Sequence, residues 1–420
     1  MADTDHPATG GTTPRGEETV FPAMPFADGR GRVSTTRCAT YDVDRVRAAV
    51  RDVLAPLGGM ATVVHPGERV ALKPNLLLAA TPDRGITTHP AVIEAVALEV
   101  REAGATPFVV ESPGAGIPYS ERSLEKVYRV TGLREMAERI DLPLSTDTRV
   151  VVVSHPGGLL IKRAEVLTPL VEADAVLSLC KLKTHFFMTF TGGVKNTFGA
   201  VPGFAKPGYH AKLADPARFA DMLLDVVGLI RPRLTLMDAV LALEGDGPGT
   251  AGRARQVGAL IASRDPVALD VVACGIVGIV PTGVPTLAQA VRREWWDGRP
   301  ESVMVTGPSV TELHVPGFVR AKRAEDAAGL GVARHLQGVI RPLANDAFNP
   351  RPRPKAGRCT ACRTCERACP VGAISIRDRL AHVDDSLCIR CYCCHELCPE
   401  SAIDLELRLL GRALRKVGVR

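Results

Sequence analysis

Eight cysteines carry the plainest chemistry in this 420-residue chain. They fall into two copies of one spacing. The first is Cys359-x2-Cys362-x2-Cys365-x3-Cys369-Pro370, and the second is Cys388-x2-Cys391-x2-Cys394-x3-Cys398-Pro399. Iron in a cubane cluster takes thiolate ligands, and three cysteines at two-residue gaps wrap a tight loop around one cube. The fourth, followed by proline, reaches the other cube. The spacing therefore predicts two [4Fe-4S] clusters. Cluster 1 would use Cys359, Cys362, Cys365 and Cys398, and cluster 2 would use Cys388, Cys391, Cys394 and Cys369. Structural zinc is the other thiolate chemistry. Zinc sites separate two Cys pairs by a longer spacer, which two complete copies ending in Cys-Pro do not match. Cys393 is an extra thiol inside the second loop and reads as a spectator.

A second concentration lies between residues 181 and 203. It runs Lys181-Leu-Lys183-Thr-His185, then Thr191-Gly192-Gly193-Val-Lys195-Asn196, then Gly199 to Gly203. Glycines let a backbone approach a ligand closely. Lysines bind anions or, when desolvated, act as nucleophiles. Lys73-Pro74-Asn75, Thr87-Thr88-His89-Pro90, Glu111-Ser112-Pro113-Gly114, Glu244-Gly-Asp-Gly-Pro248 and Ser263-Arg-Asp-Pro266 are further polar segments at strand or helix ends. Taken singly, each is an ordinary turn or a solvated side chain. The density of the 181–203 segment sets it apart as a site.

These residues need a frame. From about 33 to 345 strand-like and helix-like patterns alternate, which predicts a layered α/β domain with a largely parallel sheet. Pro90–Ala103 reads as a helix and Ser123–Ile140 as another, with strands near Glu68–Leu72, Pro107–Val110 and Val150–Val153. Ala175–Leu179 reads as a strand leading into the lysine-rich loop. Further strands are expected at Leu234–Met237, Ala259–Ala262 and Val303–Val305, and helices at Arg218–Ile230 and Val267–Val277. Open α/β sheets bind ligands beyond the carboxyl ends of their strands, where the first three polar segments could converge. The Pro- and Arg-rich stretch 346–355 reads as a linker, ahead of a small α+β cluster domain over 356–407. Residues 1–32 read as a disordered leader and 408–420 as a basic tail.

Bulk properties narrow the classes. Nine of the twelve cysteines lie between Cys359 and Cys398, in a chain whose N-terminus lacks the apolar core of a secretory signal. That pattern predicts metal binding in the cytoplasm rather than disulfides. The +6 formal charge is mild and scattered, so nucleic acid is not expected. No apolar run reaches the roughly 18 residues of a membrane span. No clean G-x-G-x-x-G follows a strand, so neither a nucleotide nor a flavin site is supported. Cys38, Cys180 and Cys274 stand outside the repeat.

Three resemblances add to this reading. Residues 356–406 resemble the bacterial two-cluster ferredoxin family. Lys73-Pro-Asn, Lys181-Leu-Lys-Thr-His185, Gly192-Gly-Val-Lys195-Asn196 and Glu244-Gly-x-Gly-Pro248 together resemble the domain-of-unknown-function family 362, over roughly 65–285. That family is often fused to a ferredoxin module, and the likeness implies a fold more than a mechanism. One loop, with His185, Phe186, Phe187, Gly192, Gly193, Lys195, Pro202 and Gly203, is similar to the nickel-pincer lactate racemase superfamily. There the lysine holds the cofactor covalently. The likeness implies that this loop floors the pocket, with Lys195 and His185 as the reactive pair. Nickel itself is not expected, because other parts of that pattern are not evident. Lys73, Asn75, His89, Lys183, Gly192, Gly193 and Asn196 are then candidates for substrate binding.

Two functions follow as expectations. The first is a reductase that takes electrons from an external ferredoxin or flavoprotein and delivers them to a small, anionic organic substrate. His185 would move a proton, as an imidazole titrating near neutrality can. The second is a non-catalytic carrier or assembly protein that docks on a redox partner.

Overall fold

The computed structural model describes residues 31–114, 117–203, 205–321 and 350–406. Most of the expected leader (1–32), the end of the α/β domain (322–345), the start of the expected linker and the tail (408–420) lie outside the described residues.

Strands β1 (Arg32–Arg37), β2 (Arg69–Pro74) and β3 (Thr106–Val109) precede a hairpin of β4 (Val150–Ser154) and β5 (Arg163–Leu167). Then come β6 (Ala175–His185), β7 (Thr189–Thr191), β8 (Leu234–Gly245), β9 (Gly252–Ser263) and β10 (Met304–Thr306). All but the hairpin form one sheet in the order β10-β1-β9-β8-β6-β2-β3, with β7 folded back onto β6. The pairs β10/β1, β8/β6, β6/β2 and β2/β3 are parallel; β1/β9, β9/β8 and β6/β7 are antiparallel. The domain is α/β, as expected.

Helices cover both faces. One face carries α1 (Val43–Leu54), α2 (Pro90–Glu102), α3 (Glu121–Val130) and α4 (Leu133–Arg139). After the short α5 (Thr168–Val171) and α6 (Gly193–Asn196) come α7 (Ala205–Lys212), α8 (Pro216–Ile230), α9 (Pro266–Ile276) and α10 (Pro285–Arg292). The last three cover the other face. Local signals set the starts: α2, α8 and α9 open with proline at the first turn behind a capping His89, Asp215 or Asp265.

Three expectations change. The helix expected over Ser123–Ile140 is two helices, broken at Gly132, whose φ of 73° suits the left-handed region. Strand β6 does not end at Leu179 but runs on to His185, buried throughout. Its alternation packs Val176 on one core and Leu177 and Leu179 on the other. The face of Leu177 and Leu179 continues as Lys181 and Lys183. The lysines are therefore strand residues, not loop residues. The third change is at the linker. Its last part forms β11 (Arg351–Pro354), which belongs to the C-terminal module.

That module also holds α11 (Thr364–Ala368), β12 (Ile374–Arg377), β13 (Leu380–Val383), α12 (Cys393–Glu396) and β14 (Ile403–Glu406). Strand β11 pairs with β14 and β12 with β13, both antiparallel. Helix α12 docks on the large domain. Tyr392, just ahead of it, joins the large core and meets Phe186 edge-on at 4.7 Å. Thr250 Oγ1 donates to the Cys398 carbonyl at 2.6 Å. Gly249 lies so close that a Cβ there would sit 1.9 Å from the Glu396 carbonyl oxygen.

This contact predicts that Gly249→Ala loosens the docking by roughly 1–3 kcal/mol, the usual cost of overpacking. Calorimetry should then show an early, separate transition of the C-terminal module. An unchanged single transition would mean the contact is soft.

Candidate functional site

Five buried or partly buried lysines meet at the carboxyl ends of the central strands. Lys73, at the end of β2, pairs with Glu111 at 2.6 Å. Lys181 on β6 pairs with Asp238 of β8 at 2.7 Å and donates to Tyr41 Oη at 2.9 Å. Lys183, two residues on, has only neutral acceptors among the described residues: Asn75 Oδ1 at 2.7 Å and the Ile86 carbonyl at 2.8 Å. Lys206 on α7 donates to the Ser112 and Pro113 carbonyls, each at 2.7 Å. Lys195 on α6 has no hydrogen bond or ion pair to its ammonium among the described residues, and it is the only one of the five that is partly exposed.

The electrostatics follow from this pairing. Burial pushes the Lys183 pKa well down, and Lys195 and Lys181 push it further. Burial also lowers Lys195, with Glu396 opposing the shift. Lys206 falls to about 7 through burial, which nearby Lys73 and Lys195 reinforce against Glu111.

An amide network ties these groups together. Asn75 Nδ2 donates to Asn196 Oδ1 at 3.2 Å. Asn196 Nδ2 donates to Ser178 Oγ at 2.9 Å and to the Lys73 carbonyl at 3.2 Å. The Asn75 N–H donates to Thr88 Oγ1. The polar segments that begin at Lys73, Thr87 and Glu111 thus meet at one place.

His185 closes β6 and is fully buried. Its Nδ1 accepts the N–H groups of Phe187 at 3.1 Å and Met188 at 3.3 Å. The proton therefore belongs on Nε2, which faces Glu396 Oε1 at 3.4 Å. Glu396 comes from the other module, at the end of α12, two residues after Cys394. Burial raises its carboxyl to about 7, against the pull of Lys195 and Lys183. Nothing in the sequence pointed to Glu396, because a Glu between two cluster cysteines reads as surface. Asp238, Tyr41, Ser178 and Asp270 were also missed.

Asp270 on α9 positions the Gly-Gly turn. It accepts the Gly193 N–H at 2.6 Å and the Val194 N–H at 3.1 Å, capping α6, which carries Lys195 and Asn196. A Cβ at Gly192 would meet Asp270 Oδ1 at 2.0 Å. Gly192 and Gly193 therefore serve close packing of the turn. His89 stands beside the network in a structural role. Its Nδ1 caps α2 through the Ala91 N–H, its ring stacks on Tyr41 at 3.6 Å, and burial lowers its pKa to about 4.

The cysteines of the repeat ring two voids. One is lined by Cys369, Cys388, Cys391 and Cys394, the other by Cys359, Cys362, Cys365 and Cys398. Among the described residues no group of three or more His, Cys, Asp or Glu converges on a point that would hold a single ion. Thiolates set around a void suit a cluster, which is larger than an ion. Backbone N–H groups of Ala373 and Ala402 donate to the sulfurs of Cys369 at 3.1 Å and Cys398 at 3.2 Å.

One stability prediction follows from Asp270. Burial raises its pKa from 3.8 to about 7. Between those values the folded chain holds a proton that the unfolded chain has lost, so this group's contribution to stability falls as pH rises, by up to about 4 kcal/mol. Asp270→Asn should flatten the decline of urea midpoints between pH 5 and pH 7. An equal slope in the variant would rule Asp270 out as its source.

Comparison with known proteins bears on both modules. A family model described as a 4Fe-4S binding domain matches residues 354–375, so the chain is an iron-sulfur protein with at least one [4Fe-4S] cluster. A model described as a domain of unknown function, DUF362, matches residues 70–275. A thylakoid-associated protein from Synechocystis sp. is 38% identical over 267 residues, covering 62% of this chain and 78% of that protein. Among the described residues no helix is long and apolar enough to cross a membrane. The lactate racemase apoprotein from Thermoanaerobacterium thermosaccharolyticum aligns with a TM-score of 0.35 and 12% identity, over 58% of this chain and 56% of that one. A likeness that slight carries no argument about chemistry. The chain belongs to the DUF362 family, here joined to a 4Fe-4S ferredoxin-type module.

Proposed function

We propose that this chain is an oxidoreductase that passes low-potential electrons through two [4Fe-4S] clusters to a small, anionic organic substrate at the lysine cluster. One observation carries the reading. Helix α12 starts at Cys393, beside the cluster ligand Cys394, and ends at Glu396, against His185 and within the field of Lys183 and Lys195. The cluster loop and the polar site thus share a wall.

Clusters of this kind supply electrons one at a time. The chain's own residues do the rest. Lys73 and Lys181 are neutralised by Glu111 and Asp238, which leaves the amines of Lys183, Lys195 and Lys206 with no carboxylate bonded to them among the described residues. Those amines favour an anion. Lys195 contacts the reacting end, and Asn75, Asn196 and Lys183 hold the polar network behind it. The Nε2–H of His185 offers a proton on the same side. Donor or acceptor would be an external ferredoxin or flavoprotein. The reading puts this work in the cytoplasm, where thiols stay reduced, and involves no nucleic acid.

Two measurements test it. Anaerobically purified protein should hold about eight iron atoms per chain, and Cys398→Ala about four, since only one cube loses a ligand. About four iron atoms in the wild type would reduce the count to a single cluster. Second, the reduced protein is mixed with small-molecule extract from its source cells, following cluster reoxidation and new product masses. Lys195→Ala should slow product-forming reoxidation on the order of 100-fold, the usual cost of losing one electrostatic contact in a site. Reoxidation only by protein partners, equally fast in both, would instead mean a carrier that docks on a redox partner.

A further inference from the structure

The five lysines do not have equal chemistry. Four are committed: Lys73 and Lys181 to carboxylates, Lys183 and Lys206 to oxygen acceptors. Each of these four is at most 4% exposed. Lys195 alone combines partial exposure with an uncommitted amine among the described residues. It also stands at the centre of the charge field. Lys183, Lys206, His210 and Glu396 each feel it. Burial lowers the pKa of the Lys195 amine against the opposing field of Glu396, and a lysine amine that has shed its proton is a nucleophile. Its mount is stiff as well: α6 is capped by the Asp270 carboxylate through the Gly193 and Val194 N–H groups, and Asn196 beside it is tied to Ser178 and Lys73.

We propose that Lys195 forms an imine with the carbonyl carbon of a small oxo acid, whose carboxylate the neighbouring amines of Lys183 and Lys206 attract. This deepens the proposed function and rests on the lysine cluster being the substrate site. The step balances without a redox change. The neutral Nζ attacks the carbonyl carbon, the C–N bond forms and then becomes C=N, and the C–O bond breaks. The carbonyl oxygen leaves as water with both amine hydrogens. Hydrolysis runs the same step backwards. A protonated imine is a better electron acceptor than the carbonyl it replaces, which suits a site beside an electron carrier.

The test is reductive trapping. Anaerobic holoprotein at pH 7 is incubated with pyruvate and cyanoborohydride, and lysine adducts are mapped by peptide mass. The solvent-exposed Lys126 is the internal control. Lys195 should be alkylated at least about tenfold faster than Lys126, because an ordinary lysine is almost wholly protonated at this pH. Pyruvate should outrun acetone at Lys195 and not at Lys126. Lys195→Arg should leave only the slow surface labelling. Equal rates at Lys195 and Lys126, or fast labelling that moves to another lysine, would overturn the proposal. The two readings fail separately. An unlabelled Lys195 in a protein that still reduces a small molecule removes the imine alone. A fast-labelled Lys195 in a protein that reduces nothing keeps the imine and removes the reductase.

Discussion

The cost of taking an ammonium group out of water governs this molecule. A buried charge is tolerated only when it is paired or hydrogen-bonded. Strand β6 carries two lysines through the middle of a sheet, and the surroundings answer each in turn. Asp238 on the neighbouring strand meets Lys181, and Tyr41 meets the same ammonium from the loop before α1. Glu111 meets Lys73 one strand away. The positions of β2, β3, β6 and β8 follow from the hydrophobic cores, but the order of residues at their carboxyl ends follows from this pairing. The pairing stops at Lys183, which has amide and carbonyl acceptors, and at Lys195.

The α/β rhythm was legible because apolar runs and proline starts are local signals. Helix α2 begins where Pro90 says it should, and the cysteine repeat could be read by spacing alone. The extent of β6 was not legible. Lysines and a histidine after a strand look like a loop, because polarity usually means solvent. What holds the lysines inside is the Asp238 carboxylate, the Asn75 amide and the Ile86 carbonyl, which no window around 181 contains. Glu396 was hidden for the same reason, at greater distance: its partner His185 lies some two hundred residues earlier. The Pro-Arg stretch was misleading in another way. Prolines at 352 and 354 suggested a spacer, yet alternate residues of an edge strand tolerate proline well, and β11 is such an edge.

The two modules are thus not beads on a string. The segment Glu244–Pro248, which reads as a turn, forms part of the seat. Phe186 donates its N–H to the Gly247 carbonyl, and His395 approaches the Asp246 carbonyl. Phe186 then presents its ring to Tyr392. Polar strand ends, aromatic contact and cysteine loop touch one another directly.

That contact has a consequence. Glu396 sits between two cysteines of the repeat, on a helix whose shape depends on the loop around it. Any rearrangement of that loop would move the carboxylate that faces His185 in the large domain. The C-terminal module could not be exchanged for an unrelated ferredoxin, since the foreign unit would bring its clusters without that carboxylate.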